Sequence, residues 1–409
     1  MHVFKLFEEI MRDKTHVLII SQYFPPDISG GGTRAYNYAK CLVQQNYDVT
    51  VITAFPHLHN EVPKKYRKKI IVKEKMNGIN LIRVFVPSLL HTTAKNRILL
   101  HFSYLLFSMF PIFSLKPDII FSSEPNLFSI IPAYFYSKIR GGKIIRVVDD
   151  LWPEAIYERG YVKSRFLKKI LDHLAKFSYE YPKYILPLTN DVKSLIQNSY
   201  NIKPEKIEVL GHGVDTNIFV FNKKINRDTF TLMYSGSLVE SYDFDIILNA
   251  AQKIEEVKFI IRGKGLMLPY IQNKIKELNL KNVIIDTDIV PSEQLSKILS
   301  QANVFLVPMK DEIALNSTLP TKILECQALG RPIICCSNGA PGRYVEDTKS
   351  GLTIHSENLE EFIEAILKLK NNSQLCDTLG DNGIQYVKNN LIFEKIGMRL
   401  DKIIQSIDF

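Results

Sequence analysis

Short runs of branched apolar residues recur along this chain, and most are followed by a stretch whose apolar positions keep helical spacing. The first run is residues 17–20. After it, from about residue 33 to residue 45, Ala35, Tyr38, Ala39 and Leu42 fall on one helical face, and "DVTVIT" then reads as a second strand. An unbroken apolar run marks a strand buried on both faces, and a strand–helix–strand unit joins parallel neighbours. The pattern predicts strands at 17–21, 48–53, 80–86, 118–122, 143–148 and 184–188. It then restarts with "TFTLMYSGSL", "VKFIIRGKG", "NVIIDTDIV", "NVFLVPM", "RPIICCSNG" and "SGLTIH", separated by helical segments such as "FDIILNAAQKI", "SEQLSKILSQA" and "NLEEFIEAILKLK". Two doubly wound α/β domains in tandem follow from this alternation, and 409 residues suit two domains. We expect the first over residues 1–205 and the second over 206–390, with the change of pattern near "NIFVFNKKINRDTF". The amphipathic segment 391–409, which no strand follows, is expected to pack back on the first domain.

Composition narrows the class. Apolar residues make up 46% of the chain, enough for two cores, and the formal charge of +9 comes from 52 basic and 43 acidic residues. That excess suits an anionic substrate or membrane surface and does not call for nucleic acid. The five cysteines, Cys41, Cys326, Cys335, Cys336 and Cys376, show no C-x-x-C or paired metal spacing. They read as reduced thiols of a cytosol-facing protein, with Cys335 and Cys336 in a core strand. The start, "MHVFKLFEEIMRDKTH", has scattered charges and lacks the apolar core of a secretory signal.

The first strand and helix are joined by "SGGG". Gly30, Gly31 and Gly32 are expected in a strand-to-helix turn, where glycine permits positive φ and close approach of the backbone to a ligand. The free N–H groups that open a helix suit a phosphate. The stretch is neither G-x-G-x-x-G nor a P-loop, so a tight turn alone accounts for it equally well.

The segments "SQYFPPDISGGGTRAYNYAKCL", "DDLWPEAIYERGYV", "PEKIEVLGHGVDTNIF", "YSGSL" and "LPTKILECQALGRPIICCSNGAPGRYVED", in this order and spacing, resemble the GT-B-fold retaining glycosyltransferases of family 4, in particular the branch that builds bacterial and archaeal surface glycans. The resemblance covers nearly the whole chain. It implies two Rossmann-like domains facing across a cleft, with an acceptor in the first and a nucleotide-sugar in the second. It also implies retention of anomeric configuration without a metal ion or other cofactor. The branch favours a UDP-sugar donor and a glycan acceptor, often linked to a polyprenyl diphosphate at the inner membrane surface. A sugar-nucleotide-binding partner subunit without catalysis is a second reading, and a sugar-nucleotide epimerase a third.

In "STLPTKILECQALGRPII", Pro320 suits a first helical turn and Gly330 a C-terminal cap. Ile323, Leu324 and Ala328 can then bury while Lys322 and Glu325 face elsewhere. The resemblance makes Glu325 an acceptor for the ribose hydroxyls and Lys322 a point charge beside the diphosphate. Ser317 stands where the family has a second Glu, and "GSLVESYDFD" offers Glu240 where a basic clamp is usual. Arg262, with Lys264 behind it, is expected to supply that charge. His212 replaces a more frequent Asn. Donor binding is therefore expected at Gly31, Gly32, Gly236, Arg262, Lys264, Ser317, Leu319, Pro320, Thr321, Lys322 and Glu325, with Lys322 and Arg262 also stabilising the leaving group. Arg34 is either an anion contact or a solvated helix residue. Asp150, after a strand's carboxyl end, either faces the acceptor hydroxyl or caps a helix. Glu154 is its reserve. Trp152 reads as packing.

"DTD" at 286–288 lacks the converging oxygens of a hard-cation site, and no metal is expected there. "RILLHFSYLLFSMFPIFSL" is apolar but falls short of the roughly 20 residues that span a bilayer. Beside the basic run at 64–75 it reads either as a buried helix with a solvated loop or as a patch that holds an anionic leaflet.

Overall fold

The computed structural model describes residues 14–27, 30–57, 62–87, 94–123, 126–149, 152–158, 160, 162–221 and 229–407. Its contacts divide into two units, Met1–His212 with Phe393–Phe409, and Gly213–Ile392. The expected first boundary, 205, moves to His212 for a local reason. Residues 207–210 run beside the seventh strand: Ile207 bridges Ile185, and the Leu210 N–H donates to the Pro187 carbonyl.

The first unit contains strands β1 (His16–Ile20), β2 (Asp48–Ala54), β3 (Ile71–Met76), β4 (Ile79–Val84), β5 (Ile119–Ser123), β6 (Lys143–Val148) and β7 (Tyr184–Pro187). Its helices are α1 (Gly30–Gln44), α2 (Ala94–Ile112), α3 (Ile130–Arg140), α4 (Glu154–Glu158), α5 (Arg165–Glu180) and α6 (Asn190–Tyr200). The sheet order is β3-β4-β2-β1-β5-β6-β7, parallel except for β3. Without β3 this is the doubly wound order, and its chain reversal lies between β1 and β5. β3 lies inside the basic run read from sequence as loop or patch. It is an antiparallel edge strand that leaves Lys73 and Lys75 exposed. Lysines on an edge discourage pairing with another sheet.

The second unit contains β8 (Thr231–Ser235), β9 (Lys258–Arg262), β10 (Val283–Asp286), β11 (Val304–Pro308), β12 (Ile333–Cys336) and β13 (Gly351–Ile354). All are parallel, in the order β10-β9-β8-β11-β12-β13. This is again the doubly wound order, with its switch point between β8 and β11. Helices α7 (Phe244–Lys253), α8 (Leu268–Glu277), α9 (Ser292–Leu299), α10 (Ile313–Asn316), α11 (Thr321–Ala328), α12 (Ala340–Asp347), α13 (Leu359–Lys370) and α14 (Ser373–Asn390) cover it. Asp243, Asn358 and Asn372 cap their helices by accepting from the backbone three residues on. The five cysteines are free thiols, and Cys335 and Cys336 are buried in β12.

The last helix, α15 (Phe393–Gln405), belongs to the first unit and packs on α1. Phe393, Ile396, Leu400, Ile403 and Ile404 are buried, and a Cβ on Gly397 would stand 3.0 Å from Gln45 Nε2 and 3.3 Å from the Cys41 carbonyl. The Tyr47 hydroxyl donates to Asp401 at 2.6 Å, and Arg399 pairs with Glu208 at 3.0 Å.

Candidate functional site

In the second unit the switch point brings together the end of β8, the loop after β9 and the start of α11. β8 runs into Gly236, whose N–H donates to the Arg262 carbonyl, and Leu238 N–H donates to the Lys264 carbonyl. These loops lie against each other backbone to backbone. Gly263 has φ +142°, and a Cβ there would fall 1.8 Å from the Gly236 carbonyl oxygen. Gly236 has φ +149°, and its Cβ would lie 2.5 Å from Lys322 Nζ. Both positions require glycine for conformation as well as for space.

The loop after Gly236 is tied to β11 by the Asp243 N–H to the Pro308 carbonyl and the Lys310 N–H to the Ser241 carbonyl. That fixes Tyr242 opposite Tyr234, ring centroids 5.3 Å apart. Lys322 Nζ stands 4.0 Å from each ring centroid. The residue as a whole keeps some exposure, but the ammonium is buried and has no hydrogen-bond partner. Two aromatic faces attract a cation, yet they supply no acceptor for its three N–H groups. Burial pushes the Lys322 pKa down to about 7, against the attraction of Cys326 and Glu325. Burial likewise pushes the Glu325 carboxyl up to about 7, opposed by Lys322.

Helix α11 is built as its sequence predicts. Ile323, Leu324 and Ala328 are buried, while Lys322 and Glu325 keep partial exposure. Pro320 sits at its N-cap position without a capping side chain, and Thr321 opens the helix. At the other end Gly330, at φ +68°, donates to the Gln327 carbonyl and Arg331 to the Cys326 carbonyl, the double bond of a Schellman stop. Ser317 and Leu319 are buried in the approach to α11.

One expectation for this unit changes. Arg262 does not stand as a free clamp: it is buried and bound to the Asp286 carboxylate and the Asp288 carbonyl. Arg262 and Asp286 are register partners at the ends of β9 and β10, which explains the pairing and gives "DTD" a structural task. Lys264 is exposed, as is Glu240.

In the first unit the three glycines are not in the turn expected of them. Helix α1 begins at Gly30, so Gly31 and Gly32 form its buried first turn. Arg34 is neither a solvated residue nor an open anion contact. It is fully buried, and all five of its N–H groups are used. Nε donates to the Tyr38 hydroxyl at 2.9 Å, Nη1 to the Val148 carbonyl and to Asp149 Oδ1 at 2.7 Å, and Nη2 to the carbonyls of Leu186 and Leu210. Tyr38 in turn donates to the carbonyls of Leu210 and Gly211. Burial opposes charge on Arg34, but Tyr38 and Asp149 outweigh it and hold the pKa above the usual range. His212 is buried beside this group, and burial pushes its pKa down to about 4.

At the switch point of the first sheet, Gln22 Oε1 accepts from Asn126 Nδ2 at 2.8 Å and lies 2.7 Å from His101 Nδ1. Asn126 Oδ1 accepts from the Phe128 N–H, which fixes the orientation of both amides and leaves Gln22 Nε2 without a partner. Trp152 meets the His101 ring edge-on at 6.5 Å. Glu154 is exposed and accepts from the Tyr200 hydroxyl at 2.8 Å. Asp150 lies outside the described residues. The tyrosine pair, Gln22 and the Arg34 cluster escaped sequence reading. Tyr234 stands inside the quoted "YSGSL", but nothing in the sequence pairs it with Tyr242.

Comparison with known proteins agrees with this geometry. Residues 28–218 match the family Glycosyltransferase Family 4, and residues 215–386 match Glycosyl transferases group 1. An uncharacterized glycosyltransferase of Methanocaldococcus jannaschii is 26% identical over 207 residues, 51% of this chain, and that match spans only 55% of the relative's length. The N-acetylgalactosamine-N,N'-diacetylbacillosaminyl-diphospho-undecaprenol 4-alpha-N-acetylgalactosaminyltransferase of Campylobacter jejuni is 21% identical over 269 residues, covering 63% of this chain and 68% of that protein. The Anabaena protein HepE in complex with UDP-glucose shares the fold at a TM-score of 0.70 and 11% identity, over 96% of this chain and 100% of that one. With its two doubly wound units and both family matches, the chain belongs to the GT-B-fold glycosyltransferases of family 4.

Proposed function

We propose that the chain moves a sugar from a UDP-sugar to a glycan acceptor carried on a polyprenyl diphosphate, with retention of configuration and without a metal ion. The reaction would take place at the cytoplasmic face of a membrane, in surface-glycan synthesis. The observation that carries the donor half is the Lys322 ammonium, buried without an acceptor at the first turn of α11. A diphosphate there would supply the missing acceptor. It would also meet the free N–H groups that open the helix and the backbone at Gly236. Charge developing on the leaving diphosphate is stabilised by Lys322 without a metal. Glu325, one turn further along α11, accepts from the ribose hydroxyls. Ser317, Leu319, Pro320 and Thr321 shape the approach, and Gly31 and Gly32 remain candidates on the first unit. Asp150 is the candidate for the acceptor hydroxyl, since Glu154 already accepts from Tyr200.

UDP-glucose bound to HepE and the undecaprenol-linked acceptor in the Campylobacter enzyme's name support the donor and acceptor classes. Ser317, which brings no carboxylate to the sugar, favours a second reading as a sugar-nucleotide-binding partner subunit.

The test is a thermal-shift screen of UDP-, GDP- and ADP-sugars followed by calorimetry, because a ligand stabilises the native state according to its affinity. UDP-sugars should stand out, and Glu325→Ala should weaken UDP binding roughly tenfold or more, as loss of charge-assisted hydrogen bonds does. An unchanged affinity in Glu325→Ala would remove the nucleotide assignment. Tight UDP binding with neither hydrolysis nor transfer would favour the partner subunit.

A further inference from the structure

Helix α2 is apolar on two opposite faces, and only one of them is covered. Leu100, Tyr104, Ser108 and Ile112 have no exposure, and the Tyr104 hydroxyl donates to the Ile52 carbonyl on β2 at 2.8 Å. Four residues apart along the other side, Ile98, Phe102, Leu106 and Phe110 are 56%, 56%, 46% and 62% exposed. At 100° per residue these four span an arc of about 120°, centred opposite the buried ridge. A helix apolar all round belongs in a core or against lipid. Helix α3 packs against α2 and extends the open surface with Phe135, 44% exposed, and Ile139, 64% exposed.

The surroundings of this face are basic. Phe107 on α2 meets Phe85 edge-on at 5.3 Å, and the Phe85 N–H donates to the Ile70 carbonyl at 2.8 Å. Ile70 joins the exposed lysines and arginine of residues 64–69 to β3, where Lys73 and Lys75 are exposed. Lys138 and Arg140 end α3. One acidic residue, Glu74, lies within that basic segment, and Lys65 and Arg83 already pair with it. Among the described residues no helix is long and apolar enough to cross a membrane.

We propose that the open face of α2 and α3 lies in the surface of an anionic bilayer. Phe102, Leu106, Phe110 and Ile139 would enter the acyl boundary, and the basic segment around β3 would stand over the headgroups. An apolar face with a basic border has the two signals that stable interfacial binding needs. A protein partner would be expected to offer acidic residues and hydrogen bonds, whereas the exposed side chains of α2, among the described residues, are Ile98, Leu99, Phe102, Leu106 and Phe110, all large and apolar. The proposal rests on the reading of a lipid-linked acceptor and names the surface that reaches it.

Sedimentation of the full chain with vesicles tests it, using phosphatidylcholine with and without phosphatidylglycerol. Wild type should bind the anionic vesicles at low salt and release as salt rises. F102S/F110S should lose roughly tenfold or more of its partitioning at every salt concentration, because insertion is lost. K68E/K69E should lose binding at low salt and show a shallower salt dependence. Both variants should keep the wild-type melting temperature and UDP affinity, since neither touches the second unit. Equal vesicle binding by wild type and F102S/F110S overturns the proposal, and so does no binding by wild type. A concentration-dependent dimer that F102S/F110S abolishes would assign the face to a second copy and overturn it equally. If UDP binding and transfer to a soluble acceptor persist while vesicle binding fails, the surface is wrong and the transferase reading stands. Loss of UDP binding by wild type would sink that reading independently.

Discussion

Lys322 is an ammonium kept from water with no acceptor, so its charge is marginal near neutrality. The pKa of about 7 and the similar value of Glu325 three residues on make the two groups titrate together. With the nucleotide bound as proposed, the diphosphate would favour the charged lysine and the ribose hydroxyls the ionised carboxylate. Above about pH 7 the free protein must therefore take up a proton to bind UDP, and affinity should fall by up to about tenfold per pH unit. Below that range Glu325 becomes neutral and affinity should fall again. Calorimetry in two buffers of different ionisation enthalpy measures the proton uptake directly, and Lys322→Met should erase the alkaline limb. A flat affinity from about pH 7 to 9 without proton exchange would contradict this reading. At the scale of single residues the sequence revealed half of this arrangement. The spacing of Lys322 and Glu325 against Ile323 and Leu324 was enough to separate a buried face from a polar one. Arg34 misled because helical spacing does not report what lies across the chain. Its partners come from residues 148, 149, 186 and 210, which adjoin it only once β6 and β7 are in place.

Elements bounded by strong punctuation were legible. β6 matches its expected limits, and α11 ends where Gly330 predicted. The failures have physical causes. β3 is hidden in the sequence because Lys73 and Lys75 occupy its outward positions and merge with the basic run before it. α1 starts three residues before its expected start near 33, because glycine is a poor helix former and tertiary burial of Gly31 and Gly32 overrides that propensity. The layered loops after β8 and β9 give a prediction at this scale. Gly263→Ala must push one backbone off another, whereas Gly236→Ala presses on the mobile end of Lys322. Gly236→Ala should therefore cost about 1–3 kcal/mol of stability, chiefly from its φ, and Gly263→Ala should cost more. Gly236→Ala should in addition weaken UDP binding beyond what its loss of stability explains, because it evicts the ammonium. Urea melts combined with UDP titration separate the two effects. Equal melting midpoints for the two variants would show that the loops do not meet as described.

At the scale of the whole molecule the two units differ in how the chain closes them. The second is one continuous segment whose ends are joined: Val214 bridges Ile392, and its N–H donates to the Leu391 carbonyl at 2.8 Å. Its core draws on β8, β9, β11, β12 and the helices around them, all within residues 213–392. The first unit needs α15, which arrives only after the second has been made. Without α15, α1 loses its cover by Phe393, Ile396, Leu400, Ile403 and Ile404, burial worth on the order of 7–15 kcal/mol as an upper bound. That is as much as an entire domain's net stability. The fragment 213–392 should therefore fold cooperatively and bind UDP measurably by itself. The fragment 1–212 should expose the apolar face of α1, melt at lower temperature or aggregate, and recover when residues 393–409 are joined to it. Calorimetric melts of the three fragments decide this. If 1–212 melts as high with α15 as without it, the last helix is an accessory, and the two-part construction of the first unit has no energetic consequence.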